Sequence, residues 1–94
     1  MTFCERLGKI LRDRNCEIEN ESDYLSSAVL VPLVRREGRL GVLFEVRSAA
    51  LTWQPGDICF PGGRIELDDA GPEAAAVRET REELSLPDDA VDVI

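Results

Sequence analysis

The sequence contains no histidine and only three cysteines, Cys4, Cys16 and Cys59, whose spacing is not that of metal ligands. Because protein zinc sites are built mainly from these two residue types, the sequence argues against a zinc site. An odd number of cysteines fits reduced thiols in a cytoplasmic protein, and Cys59, inside an apolar run, is typical of a core residue. The sequence shows no signal peptide and no apolar run of membrane length, so we expect a cytoplasmic location and no membrane partner.

Basic residues are also scarce, since 11 Lys and Arg stand against 19 Asp and Glu, giving a formal net charge of −8. A strongly acidic chain is repelled by nucleic-acid backbones and by anionic membrane surfaces, which argues against both as partners. If such an acidic protein acts on a phosphate-containing substrate, a cation is needed between its carboxylates and the phosphate. The 94 residues allow one small domain at most.

The first two thirds of the chain predict one helix and a hairpin. Apolar positions recur at helical spacing over residues 3–14, which predicts a short amphipathic helix that packs on the main body. Residues 26–34 are β-branched and apolar and predict a buried strand, in which Pro32 indicates an edge or a bulge. A turn at 35–39 and a returning strand at 40–47 complete the hairpin, and a short strand is predicted at 57–60.

The chain is organised around residues 60–86, which are predicted to form a loop, a turn and a helix. Two consecutive glycines, Gly62 and Gly63, let another group approach the main chain closely. Pro72 suits the first position of a helix, and the residues that follow it are good helix formers up to the Leu86-Pro87 pair.

This helix is predicted to have an apolar side and, opposite to it, an exposed acidic side. The two sets are Ala76, Val77, Thr80 and Leu84, and Glu79, Glu82 and Glu83. The three glutamates are spaced i, i+3 and i+4, so they are neighbours that repel one another and attract a hard divalent cation such as Mg²⁺. The helix alone also fits an ordinary solvated face with pairs such as Arg78–Glu82.

Residues 63–86 resemble the Nudix box, Gly-x5-Glu-x7-Arg-Glu-U-x-Glu-Glu-x-Gly-U, in which U is a bulky apolar residue. Gly63 matches the first glycine, residues 78–83 match the core, and Leu86 takes the last apolar position. Two positions depart from the pattern. The first acid, Asp69, stands six residues after Gly63, but eight residues rather than seven then precede Arg78. Ser85 replaces the closing glycine, the residue best suited to a left-handed helix cap.

The residues upstream of the box are similar to a further signature, found in coenzyme A pyrophosphatases. The matching positions are Arg47, Ser48, Gly56 and residues 60–63. Thr52 stands where that subfamily usually has Arg, and Gln54 where His is common, which removes two contacts to an anionic substrate. Arg47 fits either a contact to a phosphate or a plain cation at the end of a strand.

The resemblance implies an α/β fold, a Nudix-type α/β/α sandwich with a mixed β-sheet whose C-terminal part is missing from this chain. Residues 1–94 would form a single partial domain, with the loop and helix of the box at 60–86. A sheet left incomplete in this way has an open edge, through which self-association is expected.

The resemblance also implies an enzyme that hydrolyses a nucleoside diphosphate linked to another group, most simply coenzyme A or a derivative, with Mg²⁺ or Mn²⁺ as cofactor. The implied catalytic residues are Arg78, Glu79, Glu82 and Glu83, the metal ligands are Glu79 and Glu83 with Glu82 adjoining, and the substrate-binding residues are Arg47, Gly62 and Gly63. Arg78 would orient a carboxylate, and Asp69 would support the loop. The general base stays open, as do two alternatives: another substrate such as ADP-ribose or a dinucleotide, and a non-catalytic Nudix-like module.

Overall fold

The computed structural model describes residues 1–14, 26–50 and 56–94. Its elements are α1 (Phe3–Arg12), β1 (Ser27–Val29), β2 (Leu33–Arg36), β3 (Arg39–Val42), β4 (Glu45–Val46), β5 (Ile58–Cys59), β6 (Gly62–Arg64) and α2 (Pro72–Leu84). The strands form three antiparallel pairs, β1–β6, β2–β3 and β4–β5. The described part is thus a mixed α/β fold, as predicted. Neither of its helices combines the length and the apolar character that crossing a membrane requires.

The hairpin of β2 and β3 is confirmed, with a two-residue turn at Glu37 and Gly38. Both residues have positive φ angles, 53° and 77°. Such a turn has the twist that matches two antiparallel strands. Glycine adopts this conformation readily, which explains why the chain reverses here.

The predicted strand at 26–34 is divided into β1 and β2, because Pro32 has no N–H group and cannot continue a ladder. The Leu30 N–H still donates to the Pro61 carbonyl at 2.9 Å, whereas the Pro32 carbonyl accepts from the Leu43 N–H at 3.0 Å. The chain therefore changes its pairing partner from β6 to β3 at this point. The returning strand is divided likewise into β3 and β4.

Helix α2 begins at Pro72, as predicted, and packs on β1 and β6. The packed layer is built from small side chains, since Ala75, Ala76 and Thr80 are buried and Pro61 is fully buried. The Thr80 hydroxyl donates to the Ala76 carbonyl at 2.7 Å, which satisfies its polar atom inside the layer. Small residues let the helix axis come close to the strands.

The glycine pair, predicted as loop, belongs to strand β6. Gly62 lies opposite Val29 and Gly63 opposite Ala28. A Cβ atom at Gly62 would lie 2.3 Å from the Ala28 carbonyl oxygen, so glycine is required for this approach. The pairing of β1 with β6 continues beyond Arg64, where the Ile65 N–H donates to the Ser26 carbonyl at 3.1 Å.

Helix α2 ends at Leu84, and Ser85 caps it in the left-handed conformation, with φ 54° and ψ 47°. The Leu86 N–H then donates to the Arg81 carbonyl at 2.9 Å. This is the position at which the sequence departs from the closing glycine of the Nudix box. A residue with a Cβ atom is strained in this conformation, whereas glycine is not.

Replacing Ser85 with Gly is therefore expected to raise the free energy of unfolding by about 1 kcal/mol, because the left-handed strain is removed. Urea denaturation of both chains measures the difference. Ser85→Ala is the matched control, since it removes the hydroxyl but keeps the Cβ atom. An equal gain for both variants would show that the hydroxyl, and not the backbone conformation, limits stability.

Helix α1 begins with a capping box formed by Thr2 and Glu5, whose side chains each accept from the other's backbone N–H. The sequence predicts that it packs its apolar side on the main body, whereas Ile10 and other apolar side chains of the helix are exposed. Its contact with the C-terminal end includes the Arg12 guanidinium, which donates to the Ile94 carbonyl at 3.4 Å.

Candidate active site

Arg78 connects α2 to the end of β6 and to the loop between them. Its Nε and Nη2 atoms donate to the two carboxylate oxygens of Asp69, each at 2.9 Å, and Nη2 also donates to the Arg64 carbonyl at 3.1 Å. Its Nη1 atom donates to Oε1 of Glu79 at 3.0 Å and lies 3.6 Å from Oε2 of Glu82. Two-point pairing between guanidinium and carboxylate fixes direction as well as distance, so Arg78 is held rigidly.

The ion pair between Arg78 and Asp69 shifts the pKa values of both side chains. The Asp69 side chain is only 7% exposed. Hydrogen bonds from Arg78, and one from the Glu66 N–H at 2.8 Å, lower the pKa of Asp69 to about 2. The hydrogen bond to Asp69 also raises the pKa of Arg78. Both groups therefore stay charged at neutral pH.

Replacing Asp69 with Asn is expected to lower the melting temperature at pH 7 by several degrees, and the loss should shrink as the pH falls. The pKa of Asp69 in the folded state, about 2, lies below its ordinary value of 3.8. The ionised carboxylate therefore stabilises the fold above about pH 4, and this contribution is lost as the pH falls toward 2. Thermal melts of the two chains across this range measure it.

Asp68→Asn is the matched control for this experiment. Asp68 is the neighbouring residue and is exposed, so its replacement is expected to leave the melting temperature nearly unchanged at every pH. A loss in Asp69→Asn that is the same at pH 7 and pH 2 would contradict the ion-pair explanation.

Glu79 lies directly against Gly63 of β6. A Cβ atom at Gly63 would be 2.5 Å from the carboxyl carbon of Glu79 and 2.7 and 2.8 Å from its oxygens. The Glu79 side chain is 20% exposed, so the carboxylate is partly enclosed between helix and strand. Gly63 is therefore needed for space, because any side chain there would displace the carboxylate.

Glu83, one helical turn beyond Glu79, interacts with Glu45 of β4. Desolvation first, and then the hydrogen bond and the negative charge of Glu45, raise the pKa of Glu83 to about 7. The charge of Glu79 raises this pKa further, and a backbone hydrogen bond to Gly62 opposes the shift. Negative charge is thus concentrated where α2 faces the glycines of β6.

Cys59 contacts Glu45, the residue that interacts with Glu83. It pairs with Glu45 across β4 and β5, and its thiol donates to Oε1 of Glu45 at 3.6 Å. Desolvation and Glu45 raise the pKa of Cys59, while Arg47 partly offsets this. The thiol therefore stays protonated at neutral pH, which fits the predicted packing role and not that of a nucleophile.

The prediction that the glutamates occupy an exposed side opposite the apolar one is wrong for Glu79. Positions 75, 76, 79, 80 and 83 share one side of α2, and this side packs on β1 and β6. Glu79, whose side chain is 20% exposed, therefore points toward the strands. Glu83 forms a hydrogen bond with the main chain of Gly62 but stays exposed, as does Glu82, whose side chain is 61% exposed. The reason is local, since the glycines of β6 leave room for carboxylates beneath the helix.

The implied metal ligands are brought near one another but are engaged by protein groups. Glu79 and Glu82 are paired with Arg78, and Glu83 interacts with Glu45. Within residues 1–14, 26–50 and 56–94, no three Asp, Glu, Cys or His side chains form a group that could hold a metal ion as it stands. The available donors are carboxylate oxygens, which suit a hard divalent cation.

Arg47 lies at the end of β4, where its backbone N–H donates to the Asp57 carbonyl at 2.8 Å and its carbonyl accepts from the Gly56 N–H at 3.1 Å. This places it beside the start of β5, within the segment that resembles the coenzyme A pyrophosphatase signature. Thr52 and Gln54, the two departures from that signature, lie outside the described residues.

Sequence reasoning missed Glu45, which it treated only as part of the strand at 40–47. The available signal was chemical, because Glu45 is the single charged residue in the apolar run 40–46. A charged group in the middle of such a strand needs a polar environment on one face. The structure shows that this face of the strand points to Glu83 and Glu79 of α2. Glu45, Glu79 and Glu83 are called the acidic region.

Comparison with known proteins gives consistent matches. The family model of the NUDIX domain matches residues 24–94. The peroxisomal coenzyme A diphosphatase NUDT7 of Mus musculus is 41% identical over 86 residues, which cover 88% of this chain and 36% of that protein. Two bacterial proteins described as uncharacterized Nudix hydrolase NudL are similar as well. That of Citrobacter koseri is 47% identical over 68 residues, 72% of this chain and 35% of the relative.

The second bacterial protein, from Escherichia coli, is 43% identical over 72 residues, which cover 77% of this chain and 37% of the relative. The chain thus spans about a third of the length of the curated relatives that it matches.

Proposed function

This chain belongs to the Nudix domain family, and on that premise we propose that it is part of a metal-dependent hydrolase that cleaves a nucleoside diphosphate linked to another group. The observation that carries the proposal is the position of Glu79, which lies on Gly63 and is held there by Arg78. The first glycine of the box therefore meets the arginine and the first glutamate of the box core, which follow it by 15 and 16 residues along the chain.

Glu79 and Glu83 are proposed as the principal ligands of Mg²⁺ or Mn²⁺, with Glu82 adjoining. The donor set fits such a cation, because it consists of carboxylates and because the mutual repulsion of Glu45, Glu79 and Glu83 would be relieved by positive charge. When bound, a divalent cation polarises a phosphoryl oxygen and lowers the pKa of a bound water.

The other residues of the motif position these carboxylates. Arg78 holds Oε1 of Glu79 and is itself fixed by the two-point pairing with Asp69. Gly62 and Gly63 present a strand without side chains, which a substrate phosphate can approach closely. Arg78 is thus proposed as a positioning residue, and the two glycines as part of the substrate site.

Coenzyme A or a derivative is proposed as the substrate. The support is the identity with the mouse coenzyme A diphosphatase and the signature at Arg47, Ser48, Gly56 and residues 60–63. Arg47 would contribute positive charge for the anionic part of the substrate. ADP-ribose and dinucleotides undergo the same reaction, and the departures at Thr52 and Gln54 make them the next candidates. A cytoplasmic location stays a prediction.

A second candidate is a non-catalytic Nudix-like module. The observation that favours it is the absence, within the described residues, of three acidic side chains already arranged around a metal position. A hydrolase of this kind must bind a divalent cation, so a chain that binds none cannot be part of such an enzyme.

Metal binding is tested by thermal melts of the chain with Mg²⁺ and Mn²⁺. Binding to the folded state alone stabilises it, by about 2.7 kcal/mol at a hundred times the dissociation constant. Glu83→Gln is expected to abolish most of this gain, because one of the two principal ligands is lost. Without metal the same variant should melt no lower than the original chain, because its repulsion from Glu45 is removed.

Glu37→Gln, in the exposed turn between β2 and β3, is the matched control. Like Glu83→Gln, it removes one negative charge, but at a position outside α2. It is therefore expected to keep the full stabilisation by metal. If the two variants respond equally, the acidic region is an ordinary charged surface and the module becomes the better interpretation.

A further inference from the structure

Glu45 lies on the face of the β4–β5 pair that is directed to α2. Side chains alternate between the two faces of a strand, so Val46 and its partner Ile58 lie on the opposite face, where they are 71% and 70% exposed. Glu45 is half-buried and interacts with Glu83 of the helix. The strand pair thus contributes one carboxyl group to the acidic region, and α2 contributes the other two.

Two contacts fix the position of the Glu45 carboxyl group. Cys59 is the partner of Glu45 in the register of β4 and β5, and its thiol donates to Oε1 of Glu45 at 3.6 Å. The second contact is the hydrogen bond between Glu45 and Glu83. Glu83 has a further hydrogen bond to the main chain of Gly62, so its orientation is determined by a glycine of β6 together with Glu45.

The contact between these two acidic residues is unfavourable for the fold itself. In the part of the chain that the structure describes, the ion pairs involve Arg78 and Arg81, and none includes Glu45 or Glu83. Two carboxylates without a cation between them repel each other, and a neutral side chain of the same size at position 45 would avoid this. Residues that lower stability in this way are typical of functional sites. Because Glu83 is exposed, a cation from solution can reach it.

Building on the proposed function, we propose that Glu45 is a positioning residue of the metal site, which orients Glu83 and adds its negative charge to that of Glu79 and Glu83. Groups that hold a metal ligand in place contribute strongly to metal affinity. The Nudix box does not contain Glu45, which precedes Gly63 by 18 residues. The site is therefore built from two parts of the chain, the box and strand β4.

Titration of the full chain with Mn²⁺, followed by the paramagnetic resonance signal of the free ion, tests the proposal. Glu45→Gln keeps the size of the side chain and its hydrogen bonds to Cys59 and Glu83, and removes only the negative charge. It is expected to raise the dissociation constant for Mn²⁺ at least about tenfold. In metal-free buffer the free energy of unfolding should not fall, because a repulsion is removed.

Two further variants separate the charge of Glu45 from other effects. Glu45→Asp keeps the charge and is expected to recover part of the affinity that Glu45→Gln loses. Glu37→Gln removes one charge from the exposed turn between β2 and β3, and should bind Mn²⁺ as tightly as the original chain. An affinity of Glu45→Asp no higher than that of Glu45→Gln would overturn the role of the charge.

The outcomes distinguish this proposal from the proposed function. If the original chain binds Mn²⁺ and Glu45→Gln binds it equally well, Glu45 is not part of the metal site and the hydrolase stands. If the original chain binds no Mn²⁺, both proposals are overturned. A lower free energy of unfolding of Glu45→Gln in metal-free buffer, large enough to account for the lost affinity, would show that Glu45 supports only the fold, and this also overturns the proposal.

Discussion

Replacing Glu79 with Gln is expected to lower the rate of Mg²⁺-dependent coenzyme A hydrolysis at least a hundredfold, and Glu83→Gln is expected to do the same. Removing a group that acts in the transition state typically has an effect of this size. In the reaction, water adds across the diphosphate and gives phosphopantetheine and an adenosine bisphosphate. Separation of these products by chromatography measures the rate.

Because the curated relatives are about three times as long, the assay uses this chain joined to the C-terminal part of the mouse relative. The 94 residues alone are expected to be much less active. Glu37→Gln serves as the control and should keep the full rate. ADP-ribose and a dinucleotide are tested alongside. Hydrolysis of one of these, with coenzyme A untouched, would contradict the substrate and keep the reaction class.

A protein that binds Mg²⁺ and hydrolyses none of the three substrates would contradict the enzyme itself. The non-catalytic module would then explain the metal site as a structural or binding feature. Loss of activity in Glu79→Gln without loss of metal binding would assign Glu79 to the reaction and leave Glu83 as the principal ligand.

Replacing Gly63 with Ala is expected to lower the free energy of unfolding by about 2 to 3 kcal/mol and to abolish the stabilisation by Mg²⁺. The added Cβ atom would lie 2.5 Å from the carboxyl carbon of Glu79, a distance that non-bonded atoms do not adopt. Glu79 must then leave its position and lose the partly enclosed hydrogen bond to Arg78. Urea denaturation with and without Mg²⁺ measures both effects.

Gly41→Ala is the matched control, because Gly41 is a strand glycine of β3 with no atom within 4 Å of the added Cβ. The same substitution there is expected to change the free energy of unfolding by less than about 0.5 kcal/mol. If Gly63→Ala is tolerated equally well, the close contact with Glu79 does not constrain the site.

Local signals in the sequence predicted the elements whose limits depend on backbone chemistry. Pro72 gives the first residue of α2, and Glu37 with Gly38 gives the turn of the hairpin. Each depends on a few adjacent residues, so a single sequence contains the information. The Nudix box likewise identified Arg78 and Asp69, which the structure pairs at two points.

Other features could not be predicted, because they depend on residues distant along the chain. The side of α2 that faces the strands follows from the space above Gly63, which exists only once β6 pairs with β1. The interaction of Glu83 with Glu45 likewise needs β4 in place. Helical periodicity alone placed the glutamates on the solvent side of α2. It contains no information about Gly62 and Gly63 of β6, which leave room for carboxylates beneath the helix.

The pairing of β1 with β6 has a consequence for how the site is aligned. Side chains normally fix the register of two strands, but Gly62 and Gly63 offer none to Val29 and Ala28. The main-chain hydrogen bonds of the ladder, and those that flank it at its two ends, hold the strands in step. A slip by one residue would shift Gly63 by about 3.3 Å and turn that position to the other face. The carboxylate of Glu79 is thus aligned by backbone bonds several residues away from it.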